Sequence, residues 1–87
     1  MKLEGSVYVA NVMVAQLTVD EERPDLRFSK QVEVCLLRLC KELQIPIPLW
    51  LQKNTKEFAR FHQTLFFNES FGEAVHFDRF RIRWIQD

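Results

Sequence analysis

Glycine is scarce in this 87-residue chain, which contains only two. Loops that bind phosphate groups usually need several glycines close together, because their backbone N–H groups must approach the phosphates. The sequence also lacks the nucleophile elbow and the H-E-x-x-H pair that mark common hydrolases. We therefore expect a protein that is not an enzyme and that binds no cofactor.

An excess of charge of either sign is absent as well. Twelve basic and twelve acidic side chains cancel, so the protein has no overall field that would attract nucleic acid or an anionic membrane. No apolar run is long enough to span a bilayer, and the first residues do not follow the pattern of a secretory signal. The sequence predicts a cytoplasmic protein without membrane contact.

Cysteine is limited to Cys35 and Cys40. A separation of five residues on a helix places the two side chains about 140° apart around the axis, which does not suit a disulfide between them. The sequence has no C-x-x-C pair of the kind that binds zinc. We predict two buried, reduced thiols and no metal site.

The two histidines raise the question of acid–base chemistry. His76 precedes Asp78 by two residues, and His62 lies at the edge of an apolar helical stripe. An imidazole beside a carboxylate can transfer protons near neutral pH. Such neighbours are also common on ordinary strands, so we predict no catalytic residues and keep catalysis around these side chains as the weaker alternative.

Alternating β-branched residues occupy the first part of the chain, and a chain of this length forms one domain over residues 1–87. The break at Ala10 and Asn11 predicts a hairpin between two strands. The apolar side chains expected to face the core are Leu3, Val7, Val9, Met13, Ala15, Leu17 and Val19. A charged segment with Pro24, residues 20–27, is the predicted exposed connection to the next element.

A helix is predicted next, with Ser29 as its N-cap. Its apolar stripe consists of Val32, Cys35, Leu36, Leu39 and Leu43. Val34 and Leu37 lie off that stripe, so this second apolar patch needs a cover. Either the rest of the chain or a second subunit could supply it, and we therefore name Val34 and Leu37 as a candidate dimer or partner patch.

Pro46 and Pro48 end the first helix. Asn54 with Glu57 three residues later predicts the start of a second helix that continues to about Leu65. We expect this helix to bury Phe58, Phe61 and Leu65 and to expose Lys53, Lys56 and Arg60. Residues 66–77 have no clean periodicity and are predicted to form mainly a loop.

The last segment, "FDRFRIRWIQ", alternates as a strand does. Phe80, Ile82 and Trp84 are expected to face the core, and Arg79, Arg81 and Arg83 to face outward. The element order is then ββααβ. It predicts a two-layer α+β domain in which a three-stranded, mostly antiparallel sheet has two helices packed on one face.

The outward arginines define the main candidate interaction surface. They would share the open sheet face with Tyr8, and Lys53, Lys56 and Arg60 could extend the basic track. A cationic track beside an aromatic ring is typical of surfaces that bind single-stranded nucleic acid. Arginine also solubilises the wet face of a sheet without binding anything, because its stem covers apolar surface while its head stays in water.

Overall neutrality, a single outward aromatic side chain and the acidic segment 20–25 favour the solubilising role of the arginines over nucleic-acid binding. A protein partner with an acidic surface could use the same row of arginines. Our leading hypothesis is a small non-enzymatic interaction or regulatory module, with a homodimer as one form of it. Single-stranded nucleic-acid binding through the arginine strand is the alternative. The partner would contact either the outward sheet face or the Val34 and Leu37 patch.

Overall fold

The computed structural model describes residues 1–86. Its elements in chain order are strands β1 (Lys2–Val9) and β2 (Val12–Asp20), helices α1 (Phe28–Leu43) and α2 (Gln52–Phe61), and strands β3 (Gln63–Phe67) and β4 (Arg79–Ile85). The strands form one antiparallel sheet in the order β2-β1-β4-β3. The two helices pack on one of its faces, which makes the fold a two-layer α+β domain.

The predicted hairpin of β1 and β2 is present and turns at Ala10 and Asn11. Both residues have positive φ values, 49° and 66°, as in the type I′ turns that match the twist of antiparallel strands. The backbone N–H of Ala10 donates a hydrogen bond to the Asp78 carboxylate. The turn is therefore fixed to the segment that leads into β4.

A register shift in the hairpin changes the direction of one predicted core residue. Tyr8 pairs with Met13 and Val7 pairs with Ala15, so Val14 is an extra residue between the two pairs. This bulge moves Met13 to the open face beside Tyr8, where it is exposed. The prediction that Met13 faces the core is wrong because strict alternation ends at a bulge.

Helix α1 crosses the sheet over Gly5. A β-carbon at this position would lie 3.0 Å from the Phe80 ring and 3.2 Å from a methyl group of Leu39, so glycine allows the helix to approach the strand closely. The predicted stripe of α1 is buried, except that Leu43 is half-buried. The helix begins at Phe28 with Arg27 at the N-cap, so the prediction of Ser29 as the N-cap is wrong.

The chain contains a strand that the sequence pattern did not predict. Helix α2 ends at Phe61, His62 adopts a left-handed conformation with φ 58°, and β3 follows at once. The three-stranded ββααβ prediction is therefore wrong, and the observed order is ββααββ. Phe61 is 60% exposed and lies outside the core that we expected it to join.

The second half of the chain supplies much of the core. Phe66 and Phe80 are fully buried with ring centroids 6.1 Å apart, and Phe71 packs edge-on against Phe77 at 5.2 Å. Residues 66–77 are thus only partly the loop that we predicted, since they begin in β3 and continue into a short 3₁₀ turn (Asn68–Ser70). Over residues 1–86, no helix combines the length and apolarity needed to cross a membrane.

Candidate binding surfaces

Two surfaces of the domain have the chemistry of a binding site. One is the open sheet face, which points away from the helices and carries the predicted arginines. The other is an apolar groove between α1 and α2. They lie on opposite sides of the sheet and are described in turn.

Arg79 and Tyr8 form the first cluster on the open face. They are direct partners across β4 and β1, and the Arg79 guanidinium lies 4.3 Å from the centre of the Tyr8 ring. Arg81 lies 5.8 Å from the same ring. Arg79 also donates a 3.0 Å hydrogen bond to the side chain of Asn11. The Tyr8 ring is therefore already occupied by cation–π contacts, which the protein itself supplies.

Glu4 sits between the other two arginines. Its Oε1 atom is 3.5 Å from Arg81 and 3.3 Å from Arg83, and its side chain is only 12% exposed. The Oε1 atom of Glu4 and the Nε of Arg81 are buried without a well-aligned hydrogen bond. One carboxylate thus partly neutralises two guanidinium groups, and the net charge of the arginine row is lower than its sequence indicates.

Strand β3 adds residues to this face that sequence reasoning missed. Leu65 pairs with Arg81 and Phe67 pairs with Arg79, so both side chains point to the open face. Phe67 is exposed and lies under the Lys53 ammonium group at 5.4 Å. Thr64 and Phe66, which alternate with these two residues, are buried. The segment Gln63–Phe67 does not alternate between polar and apolar residues, so the sequence carried no clear signal for this strand.

The basic residues of α2 take different positions. Lys53 reaches the edge of the open face through Phe67. Arg60 instead lies over the exposed ring of Phe61, 5.4 Å from its centre. Lys56 is exposed on the helix. Of the three residues proposed to extend the basic track, Lys53 has a contact that places it beside the arginine strand.

The groove lies between the two helices and the proline-containing segment that joins them. It encloses about 610 Å³, within the range of about 300 to 1,000 Å³ that is usual for binding pockets. Phe28, Leu37 and Ile47 line it with exposed side chains. The remaining lining residues are Ser29, Val32, Glu33, Leu36, Pro48, Trp50, Thr55, Phe58 and Ala59.

The predicted patch of Val34 and Leu37 is divided between two sides of α1. Leu37 is 42% exposed and lines the groove. Val34 is half-buried, does not line the groove, and lies about 60° further around the helix. Val34 lies one helical turn before Arg38, on the same side of α1. Arg38 reaches Asp20 and Glu21 at the end of β2. Leu37 therefore faces the groove, and Val34 faces the side of β2.

The histidines and Asp78 lie in different surroundings. The His62 ring packs edge-on against Trp84 at 5.2 Å. Asp78 accepts the hydrogen bond from the Ala10 N–H, and His76 is exposed. His62 lies beside Trp84 near the end of β4, whereas His76 and Asp78 precede the start of β4, so the structure does not bring these three side chains together.

Both cysteines are buried as free thiols. Burial raises the pKa of Cys35 above its ordinary value, and it raises the pKa of Cys40 to about 11. Thiols with raised pKa values are poor nucleophiles at neutral pH, because the thiolate is the reactive form. Within residues 1–86 there is no group of three or more His, Cys, Asp or Glu side chains arranged to hold a metal ion.

No protein-family model, curated protein or solved structure matches this chain. A proposal about its function therefore depends on the two surfaces described above.

Proposed function

We propose that this protein is a non-enzymatic interaction module whose groove binds an amphipathic helix of a partner protein. The observation that carries the proposal is the combination of a cavity of about 610 Å³ with three exposed apolar side chains around it, Phe28, Leu37 and Ile47. Grooves of this kind accept the apolar face of a helix, with anchor residues spaced three or four apart. The open sheet face has fewer unengaged groups, because its arginines already contact Tyr8, Asn11 and Glu4.

Charge indicates the chemistry of the partner. Among the residues of 1–86 that line the groove, only Glu33 is charged, and its carboxylate is 3.0 Å from Lys30 in an exposed ion pair. Exposed pairs of this type contribute little to stability, so a cation from a partner can replace Lys30 at low cost. We expect the bound helix to carry two or three large apolar residues with a lysine or arginine beside them.

A small apolar ligand with an acidic head group fits this groove less well. Its carboxylate would meet the wall that holds Glu33, where like charges repel. Trp50 and Phe58 contribute large aromatic side chains to the lining of the groove, and such side chains are favoured at the centres of protein interfaces. These features support a helical peptide as the occupant.

The experiment uses designed helical peptides of about 16 residues, long enough for four turns. One peptide carries leucines at helical spacing with lysines beside them, the second has glutamates in place of the lysines, and the third has the first composition in scrambled order. Binding is measured by isothermal titration calorimetry and by tryptophan fluorescence, to which Trp50 in the groove and Trp84 in β4 both contribute. We expect the lysine peptide to bind most tightly, and Glu33→Lys to reverse the preference between lysine and glutamate peptides.

Matched variants test the location of the site. Ile47→Ser should weaken binding at least tenfold, because Ile47 lines the groove. Leu49→Ser is the control, since Leu49 is even more exposed, lies two residues away and does not line the groove. Equal binding of the ordered and scrambled peptides, or equal effects of the two substitutions, would overturn the proposal.

Single-stranded nucleic acid at the open face is the second candidate function. The observation that favours it is the position of Phe67, which joins Tyr8 as a second aromatic side chain beside the arginine strand. Bases stack on such rings while cations contact the phosphates. The internal pairing of Glu4 with Arg81 and Arg83 opposes it.

Fluorescence anisotropy of labelled single-stranded DNA and RNA tests this candidate at low and at physiological salt. A signal that falls steeply with salt and is lost in Arg83→Ala and in Phe67→Ala would support it. Arg23→Ala is the control, because Arg23 lies in the exposed connection and pairs with Asp25. Absence of binding at low salt would exclude the open face as a nucleic-acid site.

A further inference from the structure

The two edges of the sheet differ in how well they are protected. Strand β3 forms one edge, has five residues, and is followed at once by the 3₁₀ turn. Its last residue, Phe67, lies under Lys53 of α2. Strand β2 forms the other edge and has nine residues.

Strand β2 has few of the features that usually prevent edge pairing. From Val12 to Val19 it contains no charged residue and no proline. Natural edge strands are usually blocked by lysine, proline, a bulge or a covering element. Here the bulge at Val14 interrupts only the end near the hairpin turn. The stretch from Ala15 to Asp20 keeps regular pairing with β1, and within residues 1–86 no other strand pairs with its outer side, although Arg38 reaches the Asp20 carbonyl at its end.

The side chains of this stretch are suited to pairing with an identical strand. Ala15, Leu17 and Val19 point to the helix layer, whereas Gln16 and Thr18 point to the open face. Ala15 and Leu17 are only partly buried although they pack against the core. An additional strand beside β2 would cover them further.

We propose that β2 pairs antiparallel with β2 of a second copy of this chain, with a twofold axis at Leu17. This register sets Ala15 opposite Val19, Gln16 opposite Thr18, and Leu17 opposite its own copy. Each pair then joins side chains on the same face, as an antiparallel ladder requires. No charged residue of Ala15–Val19 meets a like charge, because the stretch contains none.

The pairing joins two four-stranded sheets into one continuous sheet with all helices on the same side. It also brings the β2 side of each α1, where Val34 and Arg38 lie, toward its copy. Such an isologous contact closes on itself and stops at a dimer. The groove between α1 and α2 stays open, so this inference does not depend on the proposed function.

The first test is sedimentation velocity over a range of protein concentrations. We expect a dimer for the unmodified protein and a monomer for the double substitution Q16K/T18K, since the proposed register would set lysines opposite lysines. The double substitution Q16K/T18E sets opposite charges against each other in the same register and should keep the dimer. Circular dichroism of all variants checks that they fold.

Crosslinking tests the register directly. Residues opposite each other at a twofold axis have α-carbons about 4.5 to 5.5 Å apart, a distance that a disulfide spans. With diamide as the oxidant, Leu17→Cys should therefore form a covalent dimer, whereas Val12→Cys, exposed but distant from the axis, should not. Leu37→Lys changes the groove and not the edge of β2, so it should keep the dimer. A monomer at every concentration, a dimer that dissociates equally in both double substitutions, or a dimer that is lost only in Leu37→Lys would overturn the proposal.

Discussion

The Asn54 side chain donates a hydrogen bond of 2.8 Å to the hydroxyl of Thr64, and both side chains are buried. The same amide donates to the Leu65 carbonyl and accepts from the Leu51 N–H. The Thr64 hydroxyl donates in turn to Glu57 at 2.6 Å. One buried side chain therefore joins the start of α2 to the strand that follows it.

Replacement of Asn54 should be among the most damaging single changes in this protein. Asn54→Ala leaves buried partners without hydrogen bonds, and we expect a loss of about 2 to 4 kcal/mol in the free energy of unfolding. Urea denaturation followed by circular dichroism measures the change. Lys53→Ala, one residue away on the exposed side, is the control and should cost less than about 0.5 kcal/mol. Similar losses in both variants would contradict the role assigned to Asn54.

An added side chain at Gly5 should destabilise the protein. Gly5→Ala places a β-carbon 3.0 Å from Phe80 and 3.2 Å from Leu39, and overpacking of this kind costs about 1 to 3 kcal/mol. Gly72→Ala is the matched control, because nothing lies within 4 Å of its β-carbon and its φ is not positive. We expect that control to be neutral or slightly stabilising in thermal unfolding. A stabilising effect of Gly5→Ala would show that α1 can move away from the sheet.

Glu4 should stabilise the fold through its charge. Glu4→Gln keeps the shape of the side chain but removes the carboxylate that faces Arg81 and Arg83. We expect a loss of about 1 kcal/mol in low salt and a smaller loss in high salt, where the interaction is screened. Glu73→Gln, at an exposed position, is the control. An equal effect in both variants, or no dependence on salt, would contradict this role.

The stability of the protein should fall in alkaline solution partly because of Cys40. Its pKa is raised from 9.0 to about 11 by burial, so the folded state favours the neutral thiol. Above pH 9 the unfolded state releases the proton first, and the stability that depends on the neutral thiol is lost between about pH 9 and 11. Two pKa units correspond to at most about 3 kcal/mol.

The difference in the free energy of unfolding between the protein and Cys40→Ala isolates this contribution, since every other titratable group is the same in the two proteins. Denaturation at several pH values should show that the free energy of unfolding declines more steeply with pH for the unmodified protein than for Cys40→Ala across this range. Parallel curves for the two proteins would mean that the Cys40 thiol ionises without a penalty in the folded state.

The sequence predicted the elements whose pattern is regular over many residues. The stripe of α1, from Val32 to Leu43, and the alternation of β4, from Arg79 to Trp84, each repeat long enough to identify the element and its buried face. The sheet face of Tyr8 and the arginines followed from the same alternation, and the observed register places them together. The hairpin turn at Ala10 and Asn11 was also evident locally.

The region around β3 could not be predicted in the same way. Gln63–Phe67 is only five residues long and directly follows a helix. Its apolar residues Leu65 and Phe66 fit a helical continuation from Phe58 and Phe61 equally well. The left-handed conformation of His62 ends α2, and the hydrogen bonds from Asn54 and the pairing with β4 favour the strand. These are tertiary interactions, which override a short local pattern.

By itself, then, the sequence determined an α+β domain with a helix packed over a hairpin. The spacing of apolar residues along the chain identifies a long helix or strand and its buried face, and this spacing is a local property. Only the tertiary structure decided that the sheet has a fourth strand, that Glu4 divides its charge between two arginines, and that Leu37 faces a groove. Each of these depends on residues far apart in the chain, such as Phe28 and Ile47, which line the same groove, or Glu4 and Arg83, which form an ion pair. No local pattern encodes such pairings. The candidate binding surfaces arise from that packing.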